Sequence, residues 1–375
     1  MRTPVQSVGI IGGGQLAWMI APAAQKLGLA LWVQTPNPTD PAVGLATSTV
    51  FAAIADVSGT QELSTHCDVV TFENEFVDLP GLQKLADSGV CFRPSLKSLE
   101  PLLDKYHQRS FLRDTGLPTP EFISPVPEVP PSFPTVLKTR RMGYDGQGTF
   151  ILKSLAEYRE IVQKLGAENL LLEAFIPFKC ELAVMAARSA SGEIKVYPVV
   201  ETEQQDQVCR WVWAPAEVSA LVVEQVNSIA IGVLTALDVV GVFGIELFLT
   251  QDDRLYVNEI APRTHNSGHY TIDACATSQF EQQLRAVCDL PLGDVGLNCA
   301  AAVMVNLLGF ESASHDYRGV RDRLAAIPGA AVHWYGKAEA RPGRKLGHVT
   351  VRLEGGDRRV ALAIVEEIEG IWLGQ

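Results

Sequence analysis

The chain has 375 residues, 47% of them hydrophobic and 20% charged, a globular composition that excludes general disorder and, at roughly 150 residues per domain, calls for two or three domains. A formal net charge of -12 argues against non-specific binding to nucleic acid or anionic lipid and for a small-molecule substrate, while leaving room for a local basic pocket. Seven cysteines with no C-x-x-C pair exclude a zinc knuckle or a disulfide framework; with no leader-like N-terminus and no apolar run of spanning length, a cytoplasmic location without membrane contact is expected.

Val5 to Ile11 reads as an apolar strand, followed by a triple glycine and a helical face of Leu16, Met19, Ile20, Ala23 and Leu27, then a second strand from Leu29 to Thr35. Cys67 to Phe72 and Val90 to Phe92 are further short strand runs, so the first part is α/β with a parallel sheet whose ligands gather at strand C-terminal ends. Pro94 to Asp114 looks helical, and Pro118 to Pro134 reads as a linker or edge region. Strands at Phe133 to Thr139 and Thr149 to Lys153, a helix at Leu155 to Leu165 and a strand at Leu170 to Ile176 then form an α+β module. From Glu181 the strands lengthen and are joined by hairpin-like turns. A helical stretch runs from Glu217 to Leu237, apolar strands from Val242 to Leu249 and Leu255 to Ile260, and a helix near Gln279 to Val287. From Ala301 strands and helices alternate without a new linker. The expected limits are 1-97 for a Rossmann-like unit, 98-180 for linker helices and a central unit, and 181-375 for the C-terminal unit.

Gly12-Gly13-Gly14-Gln15-Leu16-Ala17 fits G-x-G-x-x-A between a strand and a helix, where backbone donors can meet an anion or where glycine simply permits close helix packing. Gln34 and Thr35 stand where a nicotinamide enzyme wants an acidic residue for the ribose. The loop from Lys138 to Thr149, rich in glycine and led by Lys138, Arg140 and Arg141, is not a Walker loop; it either grips phosphates between strands or is a solvated basic hairpin. Glu246 and Glu259 lie on adjacent strand runs joined by a polar turn. Two such carboxylates among apolar neighbours call for a shared Mg²⁺ more than for separate salt bridges. His265 and His269 have the i to i+4 spacing of a zinc site, but Pro262 and Gly268 favour a substrate-recognition loop, which Arg263, His265 and Asn266 suit. Lys337 and the run Arg341-Pro342-Gly343-Arg344-Lys345 form a basic patch that a monophosphate fits.

Taken in order, Gly12 to Leu16, Thr71-Phe72-Glu73-Asn74-Glu75, Gly143 to Gly148, Asn258 to Arg263, His265 to His269 and Arg341 to Lys345 resemble the 5-(carboxyamino)imidazole ribonucleotide synthetases of the ATP-grasp superfamily, over nearly the whole chain. The resemblance implies an ATP-grasp fold behind the Rossmann-like domain, a homodimer, Mg²⁺ as cofactor, and ATP, bicarbonate and aminoimidazole ribonucleotide as substrates, joined by way of carboxyphosphate. It places Lys105 and Lys138 on the ATP phosphates, with Gly143, Tyr144, Asp145, Gly146, Gln147, Gly148 and Thr149 over the nucleotide. Glu173, Ala174, Phe175 and Ile176 would line the adenine, Glu181 would hold the ribose, and Gln204, Asn258 and Glu259 would complete the ATP site. Glu246 and Glu259 would carry the metal. Gln15, Glu73, Arg263, His265, Asn266, Lys337, Arg344 and Lys345 would hold the other substrates, with Tyr144, Asp145, Arg263 and His265 catalytic. Lys105, Met142, Gln147, Thr202 and Gln204 depart from the residues usual at their positions. A formate-dependent ribonucleotide transformylase, a dinucleotide oxidoreductase and a catalytically silent nucleotide-binding regulator are the competing functions.

Overall fold

In a computed structural model, which describes residues 5–141 and 148–374, the chain forms three sheets. The first is parallel. It is built from β1 (Ser7–Ile11), β2 (Ala30–Gln34), β3 (Ser48–Val50) and β4 (Val69–Phe72), with α1 (Gln15–Leu27), α2 (Val57–Ser64) and α3 (Leu79–Asp87) between or after the strands. The strand order β3-β2-β1-β4 changes direction at β1 and β4, so the loops after those strands, carrying Gly12 to Gly14 and Glu73 to Glu75, share one rim. The strand expected at Val90 to Phe92 is only a bridge from Phe92 to Val70.

The expected helix from Pro94 to Asp114 is broken into α4 (Leu96–Leu99), a 3₁₀ turn over Glu100–Leu102 and α5 (Lys105–Asp114). The break has a local cause: Asp104 accepts from the Tyr106 N–H as the N-cap of α5 and so starts a new helix. The Pro-rich segment contributes β5 (Phe122–Ile123), which joins the second sheet in the order β5-β8-β6-β7 with β6 (Thr135–Thr139), β7 (Thr149–Leu152) and β8 (Leu170–Ala174). One face is closed by α6 (Leu155–Leu165), capped by Ser154, which packs Tyr158 against Leu137, Leu152, Leu170 and Leu172.

The third sheet has nine strands: β9 (Phe178–Arg188), β10 (Ile194–Val196), β11 (Val200–Gln205), β12 (Val208–Ala214), β13 (Gly241–Thr250), β14 (Leu255–Ala261), β15 (Ala301–Leu308), β16 (Ala330–Trp334) and β17 (Lys345–Leu353). Period-two alternation divides it into two cores. In β9, Leu182, Val184 and Ala186 pack with α7 (Ala220–Ala236), whereas Ala183 and Met185 pack with Tyr270 and Ala274 on the other face. Tyr270 precedes α8 (Thr271–Ala274), and α9 (Gln279–Val287) follows it. Phe280, Leu284 and Val287 of α9 share a core with α1, welding the first sheet to the third. The segment after Ala301 extends this sheet through β15, covered by α10 (Arg318–Ala325) and α11 (Arg358–Leu373).

Candidate functional site

A cleft of about 930 Å³ is lined by residues of the second and third sheets and by the loop that follows β4 of the first. Its floor is the β13–β14 hairpin, on which Glu246 and Glu259 are register partners. The two carboxylates are treated oppositely. Burial pushes Glu246 up to about 8, reinforced by Glu259 and Glu181. Burial alone would also raise Glu259, but Lys105, Lys138 and His265 bring it down to about 2, and Lys105 Nζ lies 3.3 Å from its Oε2. Two carboxyls this close are driven apart in this way by mutual repulsion and by the cations beside one of them.

The second sheet supplies a buried ion triad. Lys138 of β6 places Nζ 3.0 Å from Glu173 Oε2 of β8 and donates to Asn258 Oδ1 of β14 at 3.0 Å. Arg109 of α5 donates Nε to Glu173 Oε1 at 2.7 Å and its terminal nitrogens to the Val257 and Asn258 carbonyls at 3.0 and 2.7 Å. Burial lowers Lys138 to about 8 against the pull of Glu173, while Arg109 and Lys138 overcome the desolvation of Glu173 and hold it at about 2. Gln108 clamps the same strand, accepting from the Ile260 N–H and donating to its carbonyl. Arg109 and Gln108 did not stand out in the sequence. A cation on the buried face of a short helix is the only signal, and it acquires meaning once Glu173 is known to face it.

Of the expected nucleotide residues, Lys105, Lys138, Thr149, Glu173, Ala174, Phe175, Ile176, Glu181, Gln204, Asn258 and Glu259 all line the cleft. Burial, with Glu203 nearby, raises Glu181 to about 7. Stacked Phe178 and Phe248, with centroids 4.7 Å apart, and Val136 and Ile151 give the cavity an apolar side suited to a flat ring. Gly148 lies at the base of the β6–β7 hairpin, its carbonyl accepting from Thr139 N–H, with φ 86°. Gly143, Tyr144, Asp145, Gly146 and Gln147 lie outside the described residues.

The opposite wall follows β14. Arg263 pairs with Glu75 through two contacts of 3.2 Å, tying it to the rim of the first sheet. His265 Nε2 is 3.8 Å from Glu246 Oε1, and the His265 backbone N–H donates to Gln279 Oε1. Gly244 leaves room for this ring: a Cβ there would stand 2.5 Å from that of His265. Asn266 exchanges two amide hydrogen bonds with Asn306. Arg263, His265, Asn266 and Lys345 all line the cleft; Gln15, Glu73, Lys337 and Arg344 do not. Lys337 Nζ donates to Gln15 Oε1 and to the Lys345 carbonyl, both at 2.7 Å, so it couples α1 to the C-terminal hairpin. Arg344 donates to the Glu339 carbonyl.

The anion met by the glycine turn is internal. Glu73 accepts from the backbone N–H groups of Gly14 at 2.6 Å, Leu16 at 3.0 Å and Ala17 at 3.4 Å, filling the N-terminus of α1. A side chain at Gly14 would meet Glu73 Oε1 at 2.6 Å, which accounts for glycine by close approach. Burial raises the Glu73 carboxyl above its ordinary value, opposed by those three donors. Gln34 is likewise structural, donating to the Ala53 and Asp56 carbonyls. His269 is fully buried behind the cleft and lies apart from His265's role there.

Family models match in the same order: a ribonucleotide synthetase preATP-grasp domain over 5–101, an ATP-grasp domain over 111–280 and a phosphoribosylaminoimidazole carboxylase C-terminal domain over 302–358. An N5-carboxyaminoimidazole ribonucleotide synthase of Synechococcus elongatus is 56% identical over 99% of this chain and 96% of its own length. The carboxyaminoimidazole ribonucleotide synthase of Aspergillus clavatus, solved with ATP, superposes with a TM-score of 0.90 at 34% identity over 98% of both chains. The same enzyme solved with ADP and 5-aminoimidazole ribonucleotide gives 0.90 at 32% identity over 99% of both. Likeness of this extent, across all three sheets and their shared cleft, makes the chain a member of the N5-carboxyaminoimidazole ribonucleotide synthase family of ATP-grasp ligases.

Proposed function

We propose that this enzyme uses ATP to activate bicarbonate as carboxyphosphate and transfers the carboxyl group to the amine of 5-aminoimidazole ribonucleotide, a step of purine biosynthesis. The observation that carries this reading is the convergence in one cleft of two lysines, a register-paired carboxylate couple and the Arg263–His265 wall. Lys105 and Lys138 neutralise phosphate oxygens as charge shifts to the leaving ADP, and the apolar side holds the base. Glu246 and Glu259 would hold Mg²⁺, which supplies electrostatic stabilisation of the transferring phosphoryl group when bound. Arg263, fixed by Glu75, and His265 orient the acid substrate, and Lys345 faces the ribonucleotide side. Tyr144 and Asp145, in the basic loop, are assigned to the same reaction by family resemblance. No enzyme nucleophile is required, because both bond-forming groups belong to substrates.

In the same reading the enzyme is a cytoplasmic homodimer with units at 1-97, 98-180 and 181-375. The three-unit division draws support from the near-exclusive origin of each sheet in one of these ranges. Among the described residues no helix is long and apolar enough to cross a membrane.

ADP release is the test. It should require bicarbonate and aminoimidazole ribonucleotide together. Formate with glycinamide ribonucleotide supporting release instead would replace this function with a transformylase. A second expected result concerns the metal. Because Glu246 keeps a proton up to about pH 8, Mn²⁺ used as a Mg²⁺ probe must displace it. Mn²⁺ affinity should therefore rise from pH 6 towards about 8 and level off above, with proton release near neutrality. Affinity flat across that window would remove Glu246 from the metal site.

A further inference from the structure

Helix α5 carries an ionic cluster at its first turn as well as the one at Arg109. Asp104, 3% exposed, caps the helix: its Oδ1 accepts from the Tyr106 N–H at 2.9 Å and from Arg140 Nε at 3.1 Å. Its Oδ2 accepts from Arg140 Nη2 at 2.9 Å and from Arg141 Nε at 3.1 Å. Arg140 thus holds the carboxylate with both arms of its fork, and its guanidinium also lies 5.1 Å over the Tyr106 ring. Burial opposes the ionisation of Asp104, yet the two arginines keep its carboxyl below its ordinary value. The backbone runs alongside, with the Lys105 N–H donating to the Arg140 carbonyl at 2.8 Å.

Where this cluster sits gives it a consequence for the cleft. Lys105, Arg140 and Arg141 line the cleft, and Asp104 does not. Gln108 and Arg109 bind α5 to β14, so the helix belongs with the third sheet. Arg140 and Arg141 directly follow β6 of the second sheet. Arg109 and Glu173 join α5 to that sheet at one point, and one point of attachment leaves a sheet free to swing about it. Asp104 joins them at another, roughly 7 Å along the helix axis at 1.5 Å per residue. The bidentate Arg140 pair does most of this, because Arg141 is largely exposed and its contact correspondingly weak. Lys105 adjoins Asp104 in the chain and Lys138 lies in β6 just before Arg140, so the angle between the sheets decides how far apart the two lysines stand.

We propose that Asp104 is a positioning residue for ATP: by pinning Arg140 to the start of α5, it fixes the angle of the second sheet and hence the spacing of Lys105 and Lys138. This role rests on the assignment of those two lysines to the ATP phosphates.

Asp104→Asn separates the two duties of the carboxylate. Asparagine caps a helix as well as aspartate does, so Oδ1 still serves the Tyr106 N–H, while an amide NH₂ in place of Oδ2 meets donors from both arginines. The variant should keep its circular dichroism spectrum and nearly its thermal midpoint, and raise the KM for ATP about tenfold. The KM for bicarbonate and for aminoimidazole ribonucleotide should stay within about twofold. Arg140→Ala, at a partly exposed side chain, should do the same and carries the test if Asp104→Asn does not fold. The double variant should be no worse than either single one, because both break one contact; losses that multiply would overturn the proposal. Lys105→Met is the control for the lysine assignment. If it leaves ATP use unchanged, that assignment fails and this role with it. If it impairs ATP use while Asp104→Asn and Arg140→Ala match wild type, Asp104 caps a helix and nothing more.

Discussion

Glu259→Gln is expected to lower kcat about a thousandfold, roughly 4 kcal/mol of transition-state stabilisation, with the fold intact. Glu246→Gln should fall in the same range. The two carboxylates face each other across one hairpin, so the double variant should lose little more than either single one; a product of the two losses would mean separate roles. Their effects on the metal-free protein should differ. Glu246 has a folded pKa of about 8 against an ordinary 4.5, so the stability its carboxyl contributes is present below about pH 4.5 and lost as pH rises through 8. Glu246→Gln is isosteric with the protonated acid and removes that loss. Relative to wild type, its denaturation midpoint should gain between pH 5 and pH 9. Glu259, held at about 2 by Lys105 and Lys138, has the opposite sign, and Glu259→Gln should be less stable than wild type at neutral pH.

Arg109→Ala is expected to be the most destabilising single change around the cleft, by about 3–5 kcal/mol, because it removes one partner of a buried pair and leaves Glu173 and two strand carbonyls short of donors. It should also raise the KM for ATP, since Glu173 and Asn258, which Arg109 holds, are the partners that aim Lys138. Chemical denaturation and ATP kinetics measure both. A loss under about 1 kcal/mol with unchanged KM would show that Arg109 does not organise the site.

Much of this site could be read from residue patterns. The Glu246 and Glu259 strands were legible because two apolar runs flank a polar turn, which points to a hairpin and hence to the pairing. The helix expected at Leu155 to Leu165 has those bounds in the structure, where Ser154 caps it. What escaped were features that depend on contacts between distant segments. The glycine turn advertised an anion, and only tertiary structure places Glu73, 59 residues from Gly14, as that anion. The break at Asp104 was missed because the apolar pattern carries on through it, while capping is decided by one side chain. Lys337 and Arg344 belong to one basic patch of the sequence, yet one reaches Gln15 on α1 and the other its own loop; charge alone does not tell which way a side chain turns. The extension of the β9–β14 sheet by β15 has no local signal, since a strand does not name its partner.

In the proposed reaction a bicarbonate oxygen attacks the γ-phosphorus of ATP. In that case one bicarbonate oxygen becomes the bridge of carboxyphosphate and leaves with phosphate when the carboxyl carbon is captured or released. Oxygen-labelled bicarbonate is supplied with ATP, Mg²⁺ and aminoimidazole ribonucleotide, turnover is kept short relative to exchange with water, and inorganic phosphate is analysed by mass spectrometry. One labelled oxygen is expected in each phosphate formed; unlabelled phosphate, from bicarbonate shown to have kept its label, would rule this attack out.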